Sequence, residues 1–560
     1  MSAKRAVVQT TSHDAAARKS IVLLKKALTL HKQGSYGEAA KLAAEAADLD
    51  AKSSAAYNLV ASSLEHLGLN SQALDMYARA LACAPDDPDM SINVGLAAYR
   101  MRMFEQAEKA FKHYTRTRPN CPKGYTNLGT LYREQGRMDE AVEILRNAIY
   151  LIPEGADLWN ALGAAVGEMS DWPSATTFYR EALRLNPNIG RFWHNLGYAM
   201  LHTGPLDEAV AHFQKALTFD VPAADEGNIR YALCLALLSQ GRLKEAWPEF
   251  GRRLELSPAG ALNFVDKTPA WRGEDLKGKT ILTIGEQGVG DEIMFAEAIP
   301  DLIKMAGDDG KVVIACDHRL VPLYQRSFPA AAVGPQLNAK IKTKKMRVVP
   351  WAHASHTIDF HAPIGSTLEF LRPDVASFGR NGAYLKPDPE KVAYWRARLA
   401  DLGPGLNVGV CWRSMMLNTQ RRKFYSPLEL WAKPLATPGV RAISLQYGDC
   451  AAEIAEAREK FGIEIVSFPE LDLKDDLDGN AALCAALDIA ISAPTAAAAL
   501  SAAVGTETWF LAASAGWPQF GTNHYPWYPK TRVFTAPVFG DWPAVMEQVT
   551  HALALRATAA

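Results

Sequence analysis

Tyr125–Leu158 (YTNLGTLYREQGRMDEAVEILRNAIYLIPEGADL) and Trp159–Phe192 (WNALGAAVGEMSDWPSATTFYREALRLNPNIGRF) share few residues, yet each opens on an aromatic and reaches a glycine, an alanine and a proline at the same offsets. Outward from this pair the alanine recurs at Ala39, Ala73, Ala107, Ala141, Ala175 and Ala209, always 34 residues apart, and at Ala246 after a slip of three. Tyr57 and Trp193 extend the aromatic column, Gly95 and Gly197 the glycine column, and Pro85 and Pro119 the proline column. A second aromatic column stands four after the alanine, at Tyr77, Phe111, Tyr179 and Phe213. Agreement of several columns at one period predicts a stack of identical two-helix units.

This is the period and pattern of the tetratricopeptide repeat (TPR), about seven of them over residues 20–260, after a disordered lead-in at 1–19. The small residues let paired helices approach closely, the aromatics fill the space between units, and proline closes each unit. Trp159 and Trp193 are therefore packing residues. The concave side of such an array is a surface for a protein or peptide partner.

Composition narrows the rest. With 60 Lys+Arg against 61 Asp+Glu the formal charge is -1, so nothing draws the whole chain to nucleic acid or an anionic membrane. Seven dispersed cysteines without a C-x-x-C favour a reducing, cytoplasmic setting over disulfides or structural zinc. The first residues carry no apolar core before a cleavage site, and Ala481–Gly505, the most apolar long run, is interrupted by Asp488 and Pro494. No integral membrane segment is expected.

Beyond a Pro-, Trp- and Gly-containing linker at 261–278 the text changes to short apolar runs alternating with helical ones: ILTIG, MFAEAIPDLIKMA, VVIAC. After a helical segment at 388–405 the rhythm restarts with NVGVCW and AISLQY and continues to IAIS and TWFLA. Alternation of this kind predicts α/β lobes with parallel sheets, one at 279–387 and one at 406–555, with a cleft between them.

The stretches GEQGVGDEIMFAEAIPDL (Gly285–Leu302), DHRLVPLYQRSFP (Asp317–Pro329), IDFHAPIGST (Ile358–Thr367), NVGVCWRS (Asn407–Ser414), DLDGNAALCAALDIAISAPT and PWYPKTRVF (Pro526–Phe534) resemble bacterial TPR glycosyltransferases whose catalytic part is similar to the lipopolysaccharide heptosyltransferases. The resemblance implies a Rossmann-like, two-lobed GT-B fold, with acceptor on the first lobe and nucleotide on the second, and no metal. Chains of this kind that carry TPRs look like enzymes that attach a nonulosonic (sialic-like) sugar to flagellin. That implies a nucleotide-sugar donor, a CMP-nonulosonate, and a protein acceptor taken up by the repeats.

Gly285-x-x-Gly288-x-Gly290-Asp291 follows a strand and opens a helix, without the spacing of a dinucleotide or P-loop fingerprint. The resemblance gives Asp291 the role of general base, with Glu292 and Glu286 behind it and Gly288, Gly290 and His361 on the acceptor side. Asp291 also suits a helix cap. On the donor side, Arg413 and Ser414 end a predicted strand where α/β sheets hold ligands. Lys423 follows in the basic loop Arg421-Arg422-Lys423, Gln446 ends another strand, and Trp527 stands in an aromatic loop that walls the base or packs the lobes. Thr495 precedes an Ala-rich helix, whose first amides suit a phosphate.

The heptosyltransferase pattern resembles D-T-S-x-A-H at this last site, and here Pro494 replaces the Asp and Ala499 the His. Heptose transfer is therefore disfavoured, and another donor or loss of activity is indicated. The His353, His356, Asp359, His361 group reads as loop and Asp476-x-Asp478 as a helix cap rather than a metal motif. The basic run Lys340, Lys342, Lys344, Lys345 and Arg347 reads as a solvated loop. Beside protein glycosylation stand two other readings, a lipopolysaccharide or glycan transferase and an inactive TPR scaffold or export chaperone.

Overall fold

The computed structural model describes residues 2–254, 262–264, 266–341, 344–415 and 419–558. The chain divides into two compact units, Met1–Asn188 and Ile189–Ala560. In the first, ten helices run from Ser2–Lys32 to Trp172–Leu185 as antiparallel pairs. The glycine column has a steric cause: a Cβ on Gly95 would lie 2.5 Å from the Phe111 ring, and one on Gly163 2.7 Å from Tyr179. In these repeats the aromatic four after the alanine therefore lies in the notch that the glycine leaves open, and Leu145 fills the same notch at Gly129. Trp159 rests on Phe178 and donates from Nε1 to Pro153 O at 2.9 Å.

Where the sequence suggested a disordered lead-in at 1–19, the first helix already begins at Ser2. Ala3, Ala6 and Ala15–Ala17, with interspersed Lys and Arg, are strong helix formers. By Ser20, whose Oγ donates to Ala46 O, the helix is docked on its neighbour.

The second unit opens with four more repeat helices, Gly190–Thr203, Leu206–Ala216, Ala223–Ser239 and Leu243–Phe250, and continues as a mixed α/β region. Its strands are β1 (Leu262–Phe264), β2 (Thr280–Ile284), β3 (Lys311–Cys316), β4 (Ala332–Pro335), β5 (Leu337–Ile341), β6 (Lys344–Val348) and β7 (Phe360–Pro363), followed by β8 (Leu406–Cys411), β9 (Val440–Ser444), β10 (Ile465–Val466), β11 (Ile489–Ser492), β12 (Glu507–Ala512) and β13 (Thr531–Thr535). A parallel sheet of order β4-β3-β2-β7 forms the first lobe, and a parallel sheet of order β10-β9-β8-β11-β12-β13 forms the second. Their central strands are continuous apolar runs because helices cover both faces: Ile281, Leu282 and Ile284, then Val408, Val410 and Ile489–Ile491, are buried.

A third sheet was not foreseen. β5 and β6 form a hairpin, and β1 pairs parallel to β6. The basic run read as a loop is this hairpin. Lys342 falls outside the described residues, and Arg347 is buried. The expected linker at 261–278 is likewise built into the first lobe, although residues 255–261 and 265 lie outside the description. Its Trp271 is buried against Phe370 and donates its amide to His361 O at 2.8 Å. Open strand edges present unpaired backbone groups, and the linker satisfies some of them. The helix Pro389–Ala400 puts Trp395 and Leu399 into the core of the second lobe. The last helix, Trp542–Thr558, buries Val545, Met546, Val549 and Leu553 against that lobe's other face.

The end of the repeat array is fused to the first lobe by polar contacts in its interior. Trp247 Nε1 donates to Arg372 O at 2.7 Å. Arg253 meets both oxygens of Glu286, at 2.7 and 2.8 Å, and both residues are buried. Arg253→Ala is expected to cost roughly 3–5 kcal/mol, because it strands a buried carboxylate. Urea unfolding measures it, and the paired change Arg253→Met with Glu286→Leu should recover much of the loss.

Candidate functional site

The turn from β2 into the helix Val289–Phe295 carries the Gly285–Asp291 motif. A Cβ on Gly285 would lie 2.5 Å from the Glu292 carboxylate, so only glycine lets that carboxylate fold back under the turn. Gln287 has φ +58°, a left-handed conformation that a non-glycine residue keeps only when its surroundings enforce it. A Cβ on Gly290 would stand 3.4 Å from the Ala496 backbone, because here the two lobes touch.

Asp291 lies half-buried in the cleft wall, and its Oδ2 accepts the Gly288 amide at 3.1 Å. The capping role is thus real, and it leaves the residue in the cleft. Burial raises the Asp291 carboxyl above the usual range; the Gly288 hydrogen bond opposes the rise and the Glu286 charge adds to it. Among the described residues no cation pairs with it.

Glu292 lies beneath, buried. Its Oε1 accepts from Gln336 Nε2 at 2.6 Å and from Arg347 Nη1 at 3.1 Å, and its Oε2 accepts the Asp317 amide at 2.8 Å. Burial pushes it up to about 7, against the pull of those donors. Arg347 also donates to Gly285 O and to Gln287 O, so the hairpin residue clamps the strained turn. Asn338, paired with Arg347 across the hairpin, lines the cleft with it.

The opposite wall comes from the second lobe. Thr495 caps the helix Ala496–Ala503 by accepting from Ala498 N at 3.5 Å, and its hydroxyl lies 3.2 Å from Ser492 Oγ. Ser414, Arg421, Tyr447, Lys474 and Asn480 complete this side, and the whole encloses about 830 Å³. Arg319, held by both oxygens of Asp317 at 2.8 and 3.0 Å, reaches across to Lys474 O at 3.0 Å.

The structure thus brings Asp291, Glu292, Gly288, Gly290, Ser414 and Thr495 to one cleft and places the other named residues elsewhere. Glu286 is taken by Arg253 and the Gly365 amide at 2.7 Å, behind the turn. Arg413 is not a free cation at a strand end, because it pairs with Glu453 through Nε at 2.8 Å. Gln446 accepts the Trp412 and Arg413 amides at 3.1 Å and fastens two strand ends together. His361 Nδ1 donates to Thr268 O at 2.9 Å, on the edge of β7. Trp527 is fully buried among Phe295, Phe378 and Phe520 and bonds Pro518 O, so it packs the lobes. Lys423 is not part of the lining, whereas its neighbour Arg421 is. Asp476 caps the helix Leu477–Ala486 by accepting Gly479 N, as read, and His353 bonds Asp266 at 2.7 Å.

Sequence reasoning missed Arg347, Gln336, Asn338, Arg319 and Tyr525. Asp317-x-Arg319 stood inside a quoted motif, and its charge alternation was the only available signal. No helix among the described residues is long and apolar enough to cross a membrane.

A tetratricopeptide-repeat model matches residues 24–88, 94–157 and 160–229. Protein FlbA of Caulobacter vibrioides is 38% identical over 518 residues, covering 92% of this chain and 87% of that protein. Two solved structures superpose partially. The APC/C hetero-tetramer Cut9-Hcn1 is 20% identical over 41% of this chain and 45% of that one, with a TM-score of 0.36. A tetratricopeptide repeat protein from Parabacteroides merdae is 18% identical over 38% and 82%, with a TM-score of 0.34.

The raised Glu292 pKa has a defined sign. Its proton is held more tightly in the folded than in the unfolded chain, so the stability it adds is full below the ordinary value of 4.5 and is lost as pH rises to about 7. Over that window the loss is on the order of 3 kcal/mol. Glu292→Gln should flatten this part of the stability profile, measured by denaturant unfolding at a series of pH values.

Proposed function

Because this chain belongs to the family of protein FlbA and joins TPR helices to a two-lobed cleft, we propose that it is a GT-B glycosyltransferase. In this reading it moves a nonulosonic sugar from its CMP donor to a Ser or Thr of a protein acceptor, flagellin, which the repeats recruit. The observation that carries the reading is the contact of Gly290 with Ala496, which sets the Asp291 carboxylate of one lobe beside the Thr495 helix start of the other. A hydroxyl to be deprotonated and a phosphate to be released belong at that separation of charge.

The acceptor oxygen attacks the anomeric carbon and passes its proton to Asp291, whose carboxyl pKa is raised by burial above the ordinary aspartate value, which makes it a stronger base. The new glycosidic bond forms with inversion as the bond to the phosphate oxygen breaks, and CMP departs. Its growing charge is met by the Thr495 hydroxyl, the first amides of Ala496–Ala503, Arg421 and Lys474. Glu292 and Arg347 act through the turn and position Asp291. Cytoplasmic action before export of the acceptor accords with this chemistry.

Pro494 and Ala499 favour one other reading, a scaffold that binds its partner without turnover, since both line the cleft where the resembling enzymes carry polar groups. Intact-mass analysis of flagellin incubated with the protein and a CMP-nonulosonate separates the two. Transfer is expected, reduced roughly 10²- to 10⁴-fold in Asp291→Asn with CMP binding retained. Removal of residues 1–188 should abolish modification of folded flagellin. That cut respects the unit boundary, whereas a cut at 260 would remove Arg253 and Trp247 from the interior of the lobe. CMP binding without any mass gain would support the scaffold.

A further inference from the structure

A line of rings joins the repeat helices of the second unit to the mouth of the cleft. His194, Tyr198 and His202 recur every four residues along the helix Gly190–Thr203 and so share one face, with centroids 6.4 and 5.4 Å apart in turn. The line continues into the second lobe. His202 meets Phe539 at 5.4 Å and Phe424 at 6.5 Å, those two meet edge to face at 5.3 Å, and Phe424 lines the cleft. Beside it, the helix Ala223–Ser239 carries Tyr231 and packs on Trp517–Gln519, of which Trp517 and Pro518 also line the cleft. The charge of Asp291 reaches the Tyr231 phenol. All of these residues belong to the second unit.

Tyr198 is 46% exposed and Phe424 41%. Burial nonetheless raises the Tyr198 phenol pKa, so the ring stands in a concavity, open to water on one side and crowded by protein on the others. Exposed aromatics in line, running into a cavity, mark a surface that a partner covers. The same crowding lowers His202 to about 4 and lowers His194 against the nearby Asp225 charge, so at neutral pH both imidazoles are uncharged. The ridge thus offers rings and phenols without a formal charge, and a charged side chain laid along it would lose its water for no counter-charge. We propose that this ridge, continued by Phe424 and Tyr231, is the acceptor subsite: it holds the uncharged residues that flank the target Ser or Thr and so brings the hydroxyl to Asp291. This rests on the transferase reading above and adds which acceptor segments qualify. Tyr198 is a positioning residue, and charge beside the target hydroxyl is what the ridge rejects.

Transfer by the full chain to two flagellins tests this: the unaltered acceptor, and one with Glu placed beside a modified Ser or Thr, with modification at that site followed by mass spectrometry. The wild-type enzyme should modify the Glu-flanked site at least about tenfold more slowly, the scale on which a pocket discriminates one group. Tyr198→Ala should raise KM for unaltered flagellin about tenfold with the kcat and CMP affinity of the wild type, which is lost binding rather than lost chemistry or a lost fold. Tyr198→Lys should restore transfer to the Glu-flanked site, which a residue of merely structural importance would not do. Equal rates at the two sites, or wild-type kinetics of both Tyr198 variants on both acceptors, overturns the subsite and leaves the transferase reading standing. Absence of transfer by the wild type to either flagellin removes the transferase reading and the subsite with it.

Discussion

Two buried carboxylates, Glu286 and Glu292, hold the backbone between them, and the rest of the cleft is built on that fixed turn. Glu286 is gripped by Arg253 from the end of the repeat helices and by the Gly365 amide, and Glu292 by Arg347 and Gln336 from the neighbouring hairpin region and by the Asp317 amide. Such pairs contribute little net stability, because desolvating both charges offsets their attraction. They supply position instead. A half-broken pair is strongly unfavourable, so the turn has one arrangement in which both are complete. Gln287 is held at positive φ by that requirement. Asp291, between the two anchors and without a paired cation among the described residues, is the carboxylate left available to the cleft.

The repeats were legible almost residue by residue because their signal is periodic: the same steric notch, a small residue under the bulky side chain sixteen positions on, is solved again every 34 residues. The α/β rhythm was legible for a related reason, since a strand covered on both faces must be apolar throughout. What the sequence hid is what pairs over long distances. Arg253 and Glu286 are 33 residues apart, and Arg347 and Glu292 are 55 apart. Arg347 closes a run of lysines that reads as a solvated loop until the hairpin pairing turns one member inward.

The site residues sort along the same line. Asp291 and Thr495 each follow a strand and open a helix, a local arrangement that the sequence displays, and both face the cleft. Arg413 and Gln446 also end strands, but nearby groups occupy them. Glu453 lies one helical turn into a neighbouring element and neutralises Arg413, and two main-chain amides saturate the Gln446 oxygen. A strand end therefore marks where a ligand belongs without saying which side chain meets it. The competition among local partners decides that, and no spacing in the sequence reports it.

The replacement of polar residues by Pro494 and Ala499 reads differently once the walls are assembled. Viewed alone, the loss of two polar groups resembles decay of a sugar site. In the cleft, Ala499 is continuous with Ala497 of its own helix, with Phe510 and Ala512 of β12 and with Met294 of the first lobe, which are apolar as well. Decay would scatter unsatisfied polar groups over a formerly polar wall. Here the walls agree in character, and the polar groups gather on the side of Asp291 and Thr495. That division, one side polar and the other enclosing carbon, is the pattern of a pocket fitted to an amphipathic ligand.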